Sequence, residues 1–151
     1  MKAASFEYAR ASSIDEACEM LRQHGDDAKL VAGGQSLVPM MAMRLTRPTR
    51  LIDINEIAAL KFVDPGIDAA RIGACTRQSV VARDDALAAR VPLIRRALAW
   101  VGHVQTRNRG TLGGSIAHAD PCAELPTVAQ MLDAVMRVRD TTTTFVAATS
   151  P

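Results

Sequence analysis

Two short segments, far apart in the chain, carry almost the same pattern: Ala32-Gly33-Gly34-Gln35-Ser36-Leu37 and Thr111-Leu112-Gly113-Gly114-Ser115-Ile116. Each couples adjacent glycines to a hydroxyl between apolar flanks. Without a Cβ, backbone N–H groups can approach an anion closely. A strand or helix end behind such a turn adds aligned donors. One loop of this kind holds one phosphate. Two of them predict a site for both halves of a pyrophosphate, and so a dinucleotide rather than a lone phosphate ester. Taken alone, the first loop reads equally well as a tight strand-to-helix turn, because an isolated Gly-Gly pair is a weak signal.

The flanks of the first loop read as alternating α and β. Ser13-Ile14-Asp15-Glu16 is a capping box, and Ile14, Ala17, Cys18 and Leu21 follow on one helical face. Gly25 is a natural stop. Lys29–Ala32 predicts a strand running into the first loop, 36–43 a short helix or turn, and Leu51–Ile54 another strand. Residues 1–54 therefore form one small α/β unit, and a second unit occupies 55–151. There, 62–63 and 71–74 are short strands about an Asp64-Pro65-Gly66 turn. Thr76 is placed as the cap of a helix through Ala82, and Pro92 opens another helix. Leu93, Ile94, Ala97, Leu98 and Val101 make that helix mostly buried. Arg107 to Pro121 is punctuated by Gly, Asn, Thr and Ser and reads as a loop with a brief helical turn. A helix over Ala123–Leu132 precedes a strand at Met136–Arg139 and a return strand at Thr143–Val146.

With 151 residues, 48% of them hydrophobic, the chain can bury a core as one domain or a pair of subdomains. Only 3% are aromatic, so that core is aliphatic. With a net charge of +2, nothing in the charge balance argues for a nucleic-acid or anionic-membrane surface. The amino-terminal residues contain no apolar signal core. No run approaches the ~20 apolar residues of a membrane span. Cys18, Cys75 and Cys122 are odd in number and far apart. They predict a reducing, cytoplasmic setting and no zinc or iron–sulfur cluster within this chain. Nor does any nucleophile triad or carboxylate pair emerge.

Two longer strings sharpen the reading. Ala-Gly-Gly-Gln-Ser-Leu-Val-Pro-Met-Met begins at Ala32, and Arg-Asn-Arg-Gly-Thr-Leu-Gly-Gly-Ser-Ile-Ala-His-Ala-Asp-Pro begins at Arg107. Together they resemble the FAD-binding subunit of molybdenum hydroxylases, close to the medium subunits of aerobic carbon monoxide dehydrogenase-type enzymes. Xanthine dehydrogenase carries the equivalent domain. The resemblance runs from about Phe6 to about Phe145. It implies an α+β fold of the p-cresol methylhydroxylase (PCMH) type: a small N-terminal α/β subdomain, then an α+β subdomain with an antiparallel sheet. It also implies FAD as cofactor. One side of the pyrophosphate falls to Ala32, Gly33, Gly34, Gln35, Ser36 and Leu37. The other side falls to Thr111, Leu112, Gly113, Gly114 and Ser115. An acidic residue nine positions beyond the second loop contacts cofactor hydroxyls in the family; here it is Glu124, where many relatives carry Asp.

Several neighbours keep more than one reading. Asp120 either accepts from a ribityl or ribose hydroxyl or caps the turn at Pro121, with the turn favoured. His118 either lies near the flavin or is an ordinary loop histidine. Arg107 and Arg109 either neutralise phosphate, hold the loop through carbonyls or face a partner. The resemblance further implies a 2Fe-2S small subunit and a molybdenum-cofactor large subunit as partners. In that arrangement this chain passes electrons to an external acceptor. Family members continue well beyond the segment matched here. That predicts an incomplete second subdomain, no family C-terminal domain, weak FAD binding and self-association through an uncovered sheet edge. The competing reading is a non-catalytic remnant that binds nucleotide or partner only.

Overall fold

The computed structural model describes residues 2–141 and 144–148. Its first unit is a parallel sheet of β1 (Glu7–Arg10), β2 (Ala28–Val31) and β3 (Arg50–Asp53), in the order β1-β3-β2. The register sets Arg10 and Val31 on either side of Asp53. Helix α1 (Ile14–His24) crosses from β1 to β2, and α2 (Leu37–Ala42) lies between β2 and β3. Parallel neighbours require such crossovers. Strand β1, Glu-Tyr-Ala-Arg, is mostly exposed and has no apolar alternation; the ladder to β3 specifies it.

The cap of α1 forms as its sequence implies, with one change. Ser13 Oγ accepts from the Glu16 N–H at 3.1 Å. The Glu16 carboxylate reaches one residue further back and accepts from the Ser12 N–H at 2.7 Å and the Ser12 hydroxyl at 2.6 Å. These bonds hold the Glu16 carboxyl below its usual range. Ala17 is buried over the sheet, with Ile14, Met20 and Leu21 around it. Ala11 and Ile52 are fully excluded from water. Ile57 and Leu60, past the boundary expected at residue 54, pack on this same first core.

Beyond it, β4 (Val63–Asp64) and β5 (Arg71–Ile72) pair antiparallel. Asp64 Oδ1 accepts from the Gly66 N–H at 3.0 Å, which closes the expected turn. Thr76 does not cap a helix. It is buried, its Oγ1 accepts from the Phe62 N–H at 3.0 Å, and its hydroxyl is 2.9 Å from the Phe62 carbonyl. Arg77 takes the N-cap position of α3 (Gln78–Arg83) instead.

Short helices follow: α4 (Asp85–Arg90), α5 (Pro92–Leu98), α6 (Val104–Arg109), α7 (Leu112–His118) and α8 (Glu124–Met131). Asp84 ends α3 and caps α4, its Oδ1 accepting from the Leu87 N–H at 2.8 Å. Pro92 opens α5 at N1, where its missing N–H costs nothing. Val81, Leu87, Leu98 and Leu125 form the second core. Of the α5 face expected to be mostly buried, only Leu98 is fully so; Leu93, Ile94, Ala97 and Val101 are half-buried. The Arg107–Pro121 loop is also corrected: it holds the end of α6 and all of α7, separated by Gly110 and Thr111.

Strands β6 (Val135–Arg139) and β7 (Thr144–Ala148) pair antiparallel, Arg139 opposite Thr144. Thr143, expected to start β7, lies outside the described residues. The hairpin is tied to α1 by an Arg139–Asp15 ion pair at 2.6 Å, while Val135 and Val138 are exposed. No helix among the described residues is long and apolar enough to cross a membrane.

Candidate functional site

Ligands of open α/β sheets collect beyond the carboxyl ends of parallel strands, and the first glycine loop leaves β2 at that end. Gly34 sits at φ +70°, a left-handed conformation that glycine adopts without penalty. Its carbonyl accepts from the Val38 N–H at 3.0 Å, which starts the turn into α2. Gln35 Nε2 donates to the Gly33 carbonyl at 3.3 Å. No described residue accepts a hydrogen bond from the backbone N–H groups of Gly33, Gly34, Gln35, Ser36 or Leu37. The Ser36 hydroxyl is not used as a cap. A consecutive run of open donors at a turn into a helix fits a phosphate group.

The second segment is built differently. Thr111 is buried and caps α7, its Oγ1 accepting from the Gly114 N–H at 3.1 Å. The Leu112 N–H donates to the Thr76 carbonyl at 3.0 Å and the Gly113 N–H to the Ala74 carbonyl at 2.9 Å. The Ser115 N–H donates to the Thr111 carbonyl at 3.3 Å. The symmetric expectation, in which Leu112, Gly113, Gly114 and Ser115 present open N–H donors as the first loop does, is therefore corrected. A capped helix start has already used them.

The two segments nonetheless meet. A Cβ on Gly33 would lie 2.5 Å from the Arg109 carbonyl oxygen and 2.8 Å from Gly110 Cα. Glycine is required there so that the two backbones can touch. Below the contact, a polar chain joins the loop roots. Arg77 donates through Nη1 to the Arg109 carbonyl, and through Nη2 to Asn55 Oδ1 at 2.7 Å. Asn55 Nδ2 donates to the Ala32 carbonyl at 2.8 Å and to Asp53 Oδ1 at 2.6 Å. The Tyr8 hydroxyl donates to Asp53 Oδ2. Burial would raise the Asp53 carboxyl, but the bonds from Tyr8 and Asn55, with the nearby Arg10 charge, hold it below its usual range. Tyr8, Asp53, Asn55 and Arg77 escape a reading of the sequence because they form no motif; Asp53 falls in an expected strand, and nothing marks the four as partners.

The remaining candidates divide. Asp120 Oδ1 accepts from the Cys122 N–H at 2.9 Å, the turn-capping alternative. Glu124 is half-buried at the first position of α8. His118 ends α7 and is exposed. Arg107 Nη1 donates to the Val101 and Gly102 carbonyls at 2.8 and 3.1 Å, so it holds the turn before α6. Arg109 uses its carbonyl within the fold and leaves its guanidinium exposed. Among the described residues no His, Cys, Asp and Glu side chains cluster as a metal site.

Comparison with known proteins bears on this geometry. Residues 4–149 match the family model described as the FAD binding domain in molybdopterin dehydrogenase. The chain is 46% identical over 134 residues to the 6-hydroxypseudooxynicotine dehydrogenase complex subunit alpha of Paenarthrobacter nicotinovorans, covering 89% of this chain and 45% of that one. It is 41% identical over 129 residues to the carbon monoxide dehydrogenase medium chain of Hydrogenophaga pseudoflava, covering 85% and 45%. Its fold superposes on a chain of the solved carbon monoxide dehydrogenase from Hydrogenophaga pseudoflava with a TM-score of 0.96 and 37% identity, over 99% of this chain and 52% of that one. The chain thus spans about half the length of the curated relatives it matches.

Proposed function

The chain belongs to the family of FAD-binding domains in molybdopterin dehydrogenases, and from that premise we propose that it is the FAD-holding, electron-transferring part of a molybdenum hydroxylase-type complex. The observation that carries this reading is the run of open N–H donors from Gly33 to Leu37 at the carboxyl end of β2. FAD, when bound, supplies chemistry that side chains lack, accepting and releasing electrons. The chain's own residues bind and orient it. Gly33, Gly34, Gln35, Ser36 and Leu37 hold the diphosphate through their N–H groups, and Ala32 sets the root of that loop. Each charge-assisted bond is worth about 1.5–3 kcal/mol. The Ser115 hydroxyl and the Arg109 guanidinium supply the second side, while Thr111, Leu112, Gly113 and Gly114 shape it. Glu124 accepts from a cofactor hydroxyl.

Relatives carry names such as "dehydrogenase complex subunit alpha" and "medium chain". By that likeness the partners are a 2Fe-2S small subunit, which delivers electrons, and a molybdenum-cofactor large subunit, which oxidises substrate. The setting is the cytoplasm, and an external acceptor takes the electrons onward. The test is co-expression with such subunits, followed by flavin spectroscopy of the purified material. A yellow co-purifying assembly, whose flavin band bleaches when the large subunit's substrate is added, is expected. An assembly without flavin would contradict the reading. FAD that binds yet never bleaches would instead favour a binding-only module.

A further inference from the structure

We propose that Arg77 and Asn55 are positioning residues for the cofactor site: a two-residue clamp that fixes the distance between the two glycine segments. The proposal rests on the reading that these segments flank the FAD diphosphate. Asn55 uses both ends of its amide, Oδ1 accepting from Arg77 and Nδ2 donating to the Ala32 carbonyl at the root of the first loop. Arg77 uses two nitrogens of its planar fork, one for Asn55 and one for the Arg109 carbonyl at the root of the second segment. An unbroken series of directional bonds thus runs from one loop root to the other. Both side chains are half-buried, which strengthens such bonds relative to water.

Around the clamp, two further contacts fasten Arg77 and its neighbour to the second segment. The Gln78 N–H donates to the Gly110 carbonyl at 2.9 Å, and Arg77 bridges Thr111 across the backbone. Gly33 closes the gap from the other side, where no Cβ intervenes. Neither clamp residue is in a glycine segment. Each side chain bonds carbonyls or another side chain of the protein, and the proposed role of both is loop placement.

The chemistry constrains what can replace them. Lysine at 77 offers one nitrogen and cannot reach Asn55 and the Arg109 carbonyl with a fixed fork. Aspartate at 55 keeps the acceptor facing Arg77 but loses the donor shared by the Ala32 carbonyl and Asp53 Oδ1, so it opens the first half of the clamp and sets two carboxylates side by side.

The experiment is a FAD titration of the parent chain, Arg77→Met, Arg77→Lys, Asn55→Asp, Gly33→Ala and the Arg77→Met/Gly33→Ala double variant. Amide hydrogen exchange of each ligand-free protein accompanies it. Arg77→Met and Asn55→Asp should each weaken FAD about tenfold or more, the loss of one well-placed bond, with Arg77→Lys in between. The double variant should be only about twofold weaker than the weaker single variant, because both disturb one spacing; independent effects would instead multiply. In ligand-free Arg77→Met, exchange should speed up at the Gly110 and Leu112 N–H groups while the β1–β3 ladder stays protected. Multiplying effects, or affinities within about twofold of the parent, overturn the clamp. So does unchanged exchange at both N–H groups, which decides the matter even if the parent binds FAD weakly. A parent that binds no FAD would contradict the proposed function and leave the exchange result to judge the clamp.

Discussion

Gly33→Val is expected to abolish measurable FAD binding while both hydrophobic cores remain folded. The new Cβ would lie 2.5 Å from the Arg109 carbonyl oxygen and 2.8 Å from Gly110 Cα, with Arg109 C at 3.1 Å. All three are backbone atoms and cannot rotate away. Their position is fixed by the Gly110 N–H to the Thr106 carbonyl at 2.6 Å and by the Arg77 bond to the Arg109 carbonyl. The first loop must therefore withdraw, and its open donors turn from their common target. Losing two charge-assisted bonds at about 1.5–3 kcal/mol each corresponds to more than a hundredfold in affinity. Overpacking costs a further 1–3 kcal/mol or so of stability. Calorimetric titration beside a thermal melt separates these effects. Parent-like affinity in a folded variant would remove this contact from the account.

Gly113→Val tests the second segment, and there the effect falls on stability. A Cβ at Gly113 would lie 2.6 Å from Ala74 Cβ, 2.7 Å from its Cα and 2.8 Å from its carbonyl oxygen. The same carbonyl accepts the Gly113 N–H, so steric relief breaks that bond as well. Overpacking of about 1–3 kcal/mol adds to a lost hydrogen bond of about 1 kcal/mol. An unfolding free energy lowered by that amount, seen as a lower urea midpoint at unchanged slope, is the expected outcome. An unchanged midpoint would mean that α7 does not rest on Ala74 as described.

Where local chemistry decides the structure, the sequence is a good guide. The Ser13 cap, the Gly25 stop, the Asp64 turn and Pro92 at the head of α5 each act within a few residues. The strand into the first loop and the glycines themselves are legible for the same reason. Tertiary partners decide the rest. Glu7–Arg10 becomes a strand only because β3 receives it. The α7 glycines look like loop punctuation, yet Thr111 caps them and Ala74 packs against them, so a helix forms where propensity alone disfavours one. Thr76 is drawn from a helix cap to the Phe62 backbone. Arg77 is 22 residues from Asn55 and 32 from Arg109, beyond the reach of any local pattern. Likeness between the two glycine segments is thus a likeness of composition. One offers N–H donors; the other spends them on the Thr76 and Ala74 carbonyls and on its own Thr111 cap, and buttresses the first.

The difference between the two segments is tested most directly by titrating ADP, the diphosphate-bearing half of FAD, into the isotopically labelled chain and following each backbone amide by NMR. The Gly33, Gly34, Gln35, Ser36 and Leu37 amides should show the largest shifts, as open donors acquire an anionic acceptor. The Gly113 and Gly114 amides, already bonded to Ala74 and Thr111, should shift little. Large shifts at Gly113 and Gly114 with a silent first loop would contradict the account.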